Sequence, residues 1–446
     1  MRKRVLERFE GVSNIELFYD LIFVYCISVI TSLCHHPQGD FLDWNTYSAY
    51  LFSLLVVLQI WFYTVLLINR YGNRSASDNI MLFLNMFLLY FMANGISVDW
   101  ASTVFTFNFA WALILLNVIV HWLIKRFRYS NLDEDDYAII DRTVAVLSLQ
   151  CVLVLVAAFM PAEISGVLSF VALAIGMAMW RLGDVYSRKP PYFAHLAERC
   201  SLLVIITFGE MVVGVSIYMS GGVDLIYPIL VFTLVVGLFL IYMYEHDNMV
   251  DHNHPSDGMT YTTIHAWVIL ILGSLTIALE YMPDTAIALL PKSIFLTACL
   301  ILYLLTSFLL GRFNKPQFTL SRPYAIGRIV VCIFILLVAL FTNFDPLVNL
   351  ICDTIAVYLA LFHEWLLYHG RTAIVNEARE AGYTKEELLE AGYTFTTREG
   401  RQAIRESVRE RRIGKRLEEA ERTNRESGTD RQESNAQLKR PTRRKR

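Results

Sequence analysis

This sequence predicts an all-α polytopic membrane protein, a bundle of about 12 transmembrane helices with a short helical cytoplasmic tail. Three observations carry that prediction. Hydrophobic residues make up 55% of the chain and charged ones only 18%, with a mean hydropathy of +0.44. Apolar runs of roughly 18 to 25 residues, long enough to cross hydrocarbon as helices, recur along most of its length. Lysine and arginine gather in alternate connections between those runs, as the positive-inside rule requires of a multi-spanning chain.

The runs lie near residues 17–34, 44–68, 79–98, 105–124, 143–160 and 164–180, then 196–219, 225–244, 262–279, 293–310, 325–341 and 346–368. The N-terminal segment (Arg2, Lys3, Arg4, Arg8) is basic, as are the connections holding Arg70 and Arg74, Lys125, Arg126 and Arg128, Arg188 and Lys189, and Arg312, Lys315 and Arg322. The intervening connections, such as "DWAST", "SGGVD" and "TNFDP", are poor in basic residues and hold a single lysine, Lys292. Both termini are therefore expected in the cytoplasm of a multi-pass cell-membrane protein, and the helix count is even. The basic start resembles a signal peptide, but Asp20 interrupts the first apolar run and no small-residue cleavage site follows, so a retained anchor is expected.

An even count permits two six-helix halves in parallel orientation. The first and seventh runs agree with that arrangement, since each opens with a glutamate and holds a second acid further in. Residues 1–370 form the membrane domain in this reading. Residues 371–446 are a different kind of chain, with 20 Lys+Arg against 14 Asp+Glu, which leaves 19 against 27 in the remainder. Within the tail, "EAGYTKEELLEAGYT" repeats EAGYT, places Thr384 and Glu387 in capping-box register and puts Gly392 where a short helix ends. A mixed-charge segment with i,i+4 pairs follows and predicts an exposed helix. The basic end (Lys439, Arg440, Arg443, Arg444, Lys445, Arg446) is expected to be disordered and is a candidate for docking on anionic lipid.

Function is sought where charge enters apolar helices, because an uncompensated charge at the centre of a spanning helix costs about 2.5–3.5 kcal/mol on insertion scales. Glu16 and Asp20 lie about 40° apart on one helix face, and Thr31 returns within about 20° of Asp20, so a polar stripe rises from the cytoplasmic end. Glu16 alone also fits a simple interfacial acid at a helix N-terminus. On the seventh helix His195, Glu198 and Arg199 cluster at the cytoplasmic edge, and Glu210 stands about 16 Å further along by helical rise. A carboxyl at that depth is suited to carry a proton, or else to hold a neighbouring helix by a hydrogen bond. Asp20 or Glu16 is expected to contact Arg199. His265 and Asp353 are weaker candidates for the same buried network, and His121 reads as interfacial.

These residues also carry a resemblance. "ELFYDLIFV" (residues 16–24) resembles the first-helix signature of the low temperature requirement A (LtrA) family of bacterial membrane proteins. His195, Glu198, Arg199 and "IITFGE" (residues 205–210) resemble its second signature. The resemblance implies a polytopic helical bundle over residues 12–370 and marks Glu16, Phe18, Asp20, His195, Glu198, Arg199, Gly209 and Glu210 as characteristic positions. It departs at Cys200 and Ser201, where a glycine is more usual, and at "YMYEHD", where a tryptophan-rich segment is expected. It implies no molecular activity.

The seven cysteines stand singly, with no CxxC spacing, so neither a disulfide framework nor a zinc site is expected. "EHDNMVDHNHPSDG" holds carboxylates and imidazoles in loose spacing and reads as a solvated loop rather than a metal site. HExxH, GxSxG and phosphate-cradling glycine loops are absent, so an enzyme is not expected, and neither a cofactor nor a nucleic-acid partner is implied. The expected partners are the lipid bilayer and a small ion or solute, with homo-oligomerisation left open. The leading expectation is a proton- or cation-linked transporter or channel, with Asp20 and Glu210 as titrating groups and His195 and Arg199 neutralising and gating them. The alternative is a membrane-embedded sensor or scaffold whose buried charges are structural.

Overall fold

Several helices begin where a side chain can stand in for the missing intrahelical acceptor. A computed structural model describes residues 11–35, 41–178, 188–216, 225–256, 258–284, 286–341, 345–391, 393–395 and 397–438. Ser13 accepts the Glu16 N–H and Glu16 returns to Ser13, a capping box that opens α1 (Asn14–Ser32). Asp43 caps α2 (Trp44–Tyr71) through Thr46, and Ser75 caps α3 (Ala76–Ala93) through Asp78. After α4 (Trp100–Arg128), Asp133 and Asp136 form a second box at α5 (Glu134–Ala158). Then come α6 (Ala162–Ala178), α7 (Phe193–Gly214), α8 (Ile226–Tyr244), α9 (Met259–Tyr281), α10 (Leu289–Leu310), α11 (Arg322–Phe341) and α12 (Pro346–Glu380).

These helices fall on the apolar runs of the sequence, and the described residues contain no strand. Ten are long and apolar enough to cross a membrane. The other two differ for plain reasons: α6 has only 17 residues, and α7 carries Glu198, Arg199 and Glu210. Large apolar side chains such as Phe87, Phe170, Ile329 and Phe362 are exposed, the outward surface that a lipid environment accommodates and water does not. This is a membrane protein.

The chain divides into two units. The first comprises residues 1–313 and 323–363. Within it α2 and α9 are the most enclosed spans, and α1, α2, α7 and α9 pack against one another. Because lipid tails are as apolar as leucine, such packing rests on close fit and interhelical hydrogen bonds. One such contact joins α2, α5 and α6: Tyr63 donates to Gln150 Oε1 at 2.9 Å, Gln150 donates to Gln59, and Gln59 donates to the Leu173 carbonyl. Gly176 leaves the room for it.

The second unit comprises residues 314–322 and 364–446. Arg371 donates to the carbonyls of Gln317 and Thr319 and to Ser321. Gly382, at φ +86°, makes the left-handed turn that ends α12, and Thr384 with Glu387 caps α13 (Lys385–Glu390). An apolar cluster of Ile374, Ala378, Leu388, Phe395, Ile404 and Val408 joins these elements to α14 (Arg398–Leu438). Gly392 and the basic end from Lys439 to Arg446, singled out above, lie outside the described residues, as do Arg2, Lys3, Arg4 and Arg8.

A Cβ on Gly176 would lie 2.2 Å from the Tyr63 hydroxyl and 2.4 Å from Gln59 Nε2. Gly176→Ala should therefore destabilise the first unit by about 1–3 kcal/mol through overpacking, read as a lowered Tm in detergent. An unchanged Tm would show that the polar contact yields freely.

Candidate functional site

The first unit brings α1 and α7 side by side, and the acids of one meet the cation of the other. Glu16 sits in the first turn of α1, where its Oε1 accepts from the Ser13 hydroxyl at 2.8 Å. Its Oε2 receives Arg199 NH1 and His195 Nε2, each at 2.9 Å. One turn deeper, Asp20 Oδ1 accepts from Arg199 NH2 at 2.6 Å and from the Trp61 indole N–H of α2 at 2.9 Å. The two terminal nitrogens of the guanidinium thus serve different carboxylates, a geometry that a single ammonium does not reproduce.

Every member is enclosed, and Arg199 is only 1% exposed. With the imidazole neutral, two carboxylates face one guanidinium, and the network is one positive charge short. Asp20 Oδ2 is also buried without a hydrogen-bond partner. It is the place in the network where a proton can sit.

A cavity of about 210 Å³ reaches this network from the end where α1 begins, and Glu16, Asn69, Tyr192 and His195 line it. Asp78 and Arg74 line it too. Asp78 repeats the construction of Glu16: it lies in the first turn of α3 below its serine cap, and it is bonded to His121 at 2.9 Å and to Lys125. In both cases the imidazole and the cation are four residues apart on one helix, so they lie on one face. His121, read from the sequence as interfacial, is buried against Asp78.

Glu198 stands apart from the network. It is exposed, since one residue before Arg199 a side chain points about 100° away around the helix. Glu210 is buried on α7 and hydrogen-bonded with Ser28 of α1. Close to it is Glu280 of α9, whose carboxylate packs where a Cβ on Gly214 would lie and faces His35 at 3.4 Å. His265 is fully committed elsewhere: Nδ1 donates to the Tyr261 carbonyl at 2.8 Å, and Nε2 accepts from the Tyr242 hydroxyl at 2.9 Å. Asp353 is buried in α12, its Oδ2 unpartnered, and it does not join the α1–α7 network. The loop after α8 is less solvated than its composition implies. Glu245–Met249 continues the helix as a π-turn, with Glu245 and His246 buried.

Sequence reasoning missed Trp61, Asn69, Asp78, Lys125 and Glu280. Two spacings could have found some of them. Ser-x-x-acid opens both α1 and α3, and His-x-x-x-cation occurs at both His121–Lys125 and His195–Arg199. Trp61 and Glu280 have no comparable signal, because their partners are far away in sequence.

Replacing Arg199 by Ala should cost roughly 3–5 kcal/mol by leaving two buried carboxylates uncompensated. Adding Glu16→Gln and Asp20→Asn to that variant should recover most of the lost Tm. If the triple variant is no more stable than Arg199→Ala, the ion pairs are not what holds α1 to α7.

Comparison with curated proteins finds no match. The model of the family described as bacterial low temperature requirement A protein (LtrA) matches residues 11–362. That range includes α1 and α7 with the whole network, and it leaves out α13 and α14. On a match that extends over most of its length, the chain belongs to the LtrA family.

Proposed function

We propose that this LtrA-family protein is a proton- or cation-linked transporter or channel of the cell membrane, with both termini cytoplasmic. The supporting observation is that Glu16 and His195 line an open cavity while Asp20 and Arg199 behind them are sealed. Ion pairs that only hold helices together need no such access, whereas buried ionisable groups beside a polar cavity are the usual parts of an ion path. A proton arriving from the cavity would meet a network short of one positive charge. The second acid, Glu210, lies about 16 Å beyond Arg199 along the same helix, with Glu280 and His35 continuing from it. The cargo is a small ion or solute, and the reading assigns no catalysis to the chain.

A sensor or scaffold is the second reading, favoured by the separate apolar cluster of the tail unit, which has the makings of an output module. Flux distinguishes the two. Full-length protein reconstituted in vesicles loaded with a pH-sensitive dye should respond to imposed ion gradients, and a scaffold should not.

Glu210 gives the sharper test. Glu210→Gln keeps volume and hydrogen bonding, so folding should persist while proton-linked flux is lost. Glu210→Leu should in addition lose the bond with Ser28, at a cost of about 0.6–2 kcal/mol. Normal flux in the Gln variant would remove Glu210 from the path.

A further inference from the structure

The His195 ring is held in one tautomer by an amide that has no freedom of its own. Asn69 Oδ1 accepts the Tyr192 backbone N–H at 2.9 Å, and Asn69 Nδ2 donates to the Tyr192 carbonyl at 2.9 Å. Exchanging the two ends of the amide would set carbonyl against carbonyl and N–H against N–H, so the orientation is fixed by the backbone of the residue that precedes α7. The same Nδ2 faces His195 Nδ1 at 3.1 Å. A donor there requires an acceptor, so Nδ1 is bare and the ring proton is on Nε2, given to Glu16 Oε2 at 2.9 Å.

We infer that Asn69 is a positioning residue that closes His195 to protons from the cavity, and that proton uptake requires the Asn69 amide to turn away from Tyr192. The inference rests on the transport reading and extends it. Asn69, Tyr192 and His195 all line the cavity, so the amide stands between the one unprotonated ring nitrogen and the space a proton comes from. The charges around the ring favour uptake once the amide yields. Glu16 and Asp20 of α1 outnumber Arg199 of α7, and Arg74 and Asp78, which also line the cavity, are opposite in sign. Turning the amide costs the two Tyr192 hydrogen bonds, so it is coupled to the backbone at the start of α7. Uptake at Nδ1 is then linked to a movement of the helix that carries Arg199 and Glu210.

The tautomer can be read directly. His195 is the only histidine preceded by alanine, so labelling with carbonyl-13C alanine and 15N histidine identifies it in the full chain in lipid nanodiscs without any mutation. The wild-type ring should show a bare Nδ1 and a protonated Nε2. In Asn69→Asp an acceptor replaces the donor, and the Nδ1 resonance should move to the protonated position at the same pH, whereas Asn69→Leu should leave a ring no longer held to one tautomer. A wild-type Nδ1 that is already protonated, or a ring signal unchanged by Asn69→Asp, would overturn the inference. Because the spectrum reports the ring rather than flux, the inference can fail while the transport reading stands. If the tautomer is as expected but the vesicles show no flux, only the transport reading fails.

Discussion

The fold of the first unit turns on one guanidinium. Arg199 reaches from α7 to Glu16 and Asp20 of α1 with a different nitrogen for each, and it does so where water is excluded. In the low dielectric of such a site an unpaired charge is far more costly than in water, so none of the three residues is tolerable without the others. Packing among apolar helices in lipid has little directional preference. A buried arginine with two fixed carboxylates supplies it, specifying which faces of α1 and α7 meet and at what register. Trp61 extends the constraint to α2 by donating to the same Asp20 oxygen.

A second, separate assembly follows the same rule. Asp78, His121 and Lys125 join α3 to α4 as Glu16, His195 and Arg199 join α1 to α7, each carboxylate seated in the first turn of a helix capped by serine. The helix N-terminus favours the negative charge, the imidazole and cation spaced one turn apart present one face, and the cavity lies between the two assemblies. They differ in charge balance. Asp78 alone faces Lys125, so that assembly is neutral with a neutral imidazole, whereas Asp20 adds a further carboxylate to the other. The surplus charge marks the α1–α7 assembly as the one with reason to bind a proton.

Much of this was legible in the chain. Apolar runs located the helices, because bilayer thickness fixes their length and the backbone must satisfy itself within each span. The pairing of α1 with Arg199 followed from depth, since matching buried charges of opposite sign have few places to go. What could not be read was lateral. Helical periodicity gives the face a residue occupies, not the neighbour that face meets, so Trp61, Asn69 and Glu280 emerged only from packing. Glu198 was misplaced with the network for the same reason, being near in sequence yet on another face. The tail's capping box at Thr384 and Glu387 was visible because it is local, while the inclusion of residues 314–322 in the tail unit was not, because Arg371 reaches back some fifty residues to make it.

The central claim is that the α1–α7 network, with two carboxylates to one guanidinium, takes up a proton at Asp20 Oδ2 to offset its surplus negative charge. Infrared spectroscopy of the full chain in lipid, following the carbonyl stretch of protonated carboxyl groups, measures this most directly. Asparagine at position 20 retains an oxygen for Trp61 and Arg199, so the comparison is between folded proteins. The account predicts a protonated-carboxyl component that grows as the pH is lowered in the wild type, grows less in Glu16→Gln, and is absent in Asp20→Asn. A spectrum of Asp20→Asn that superimposes on the wild type in this region would contradict it.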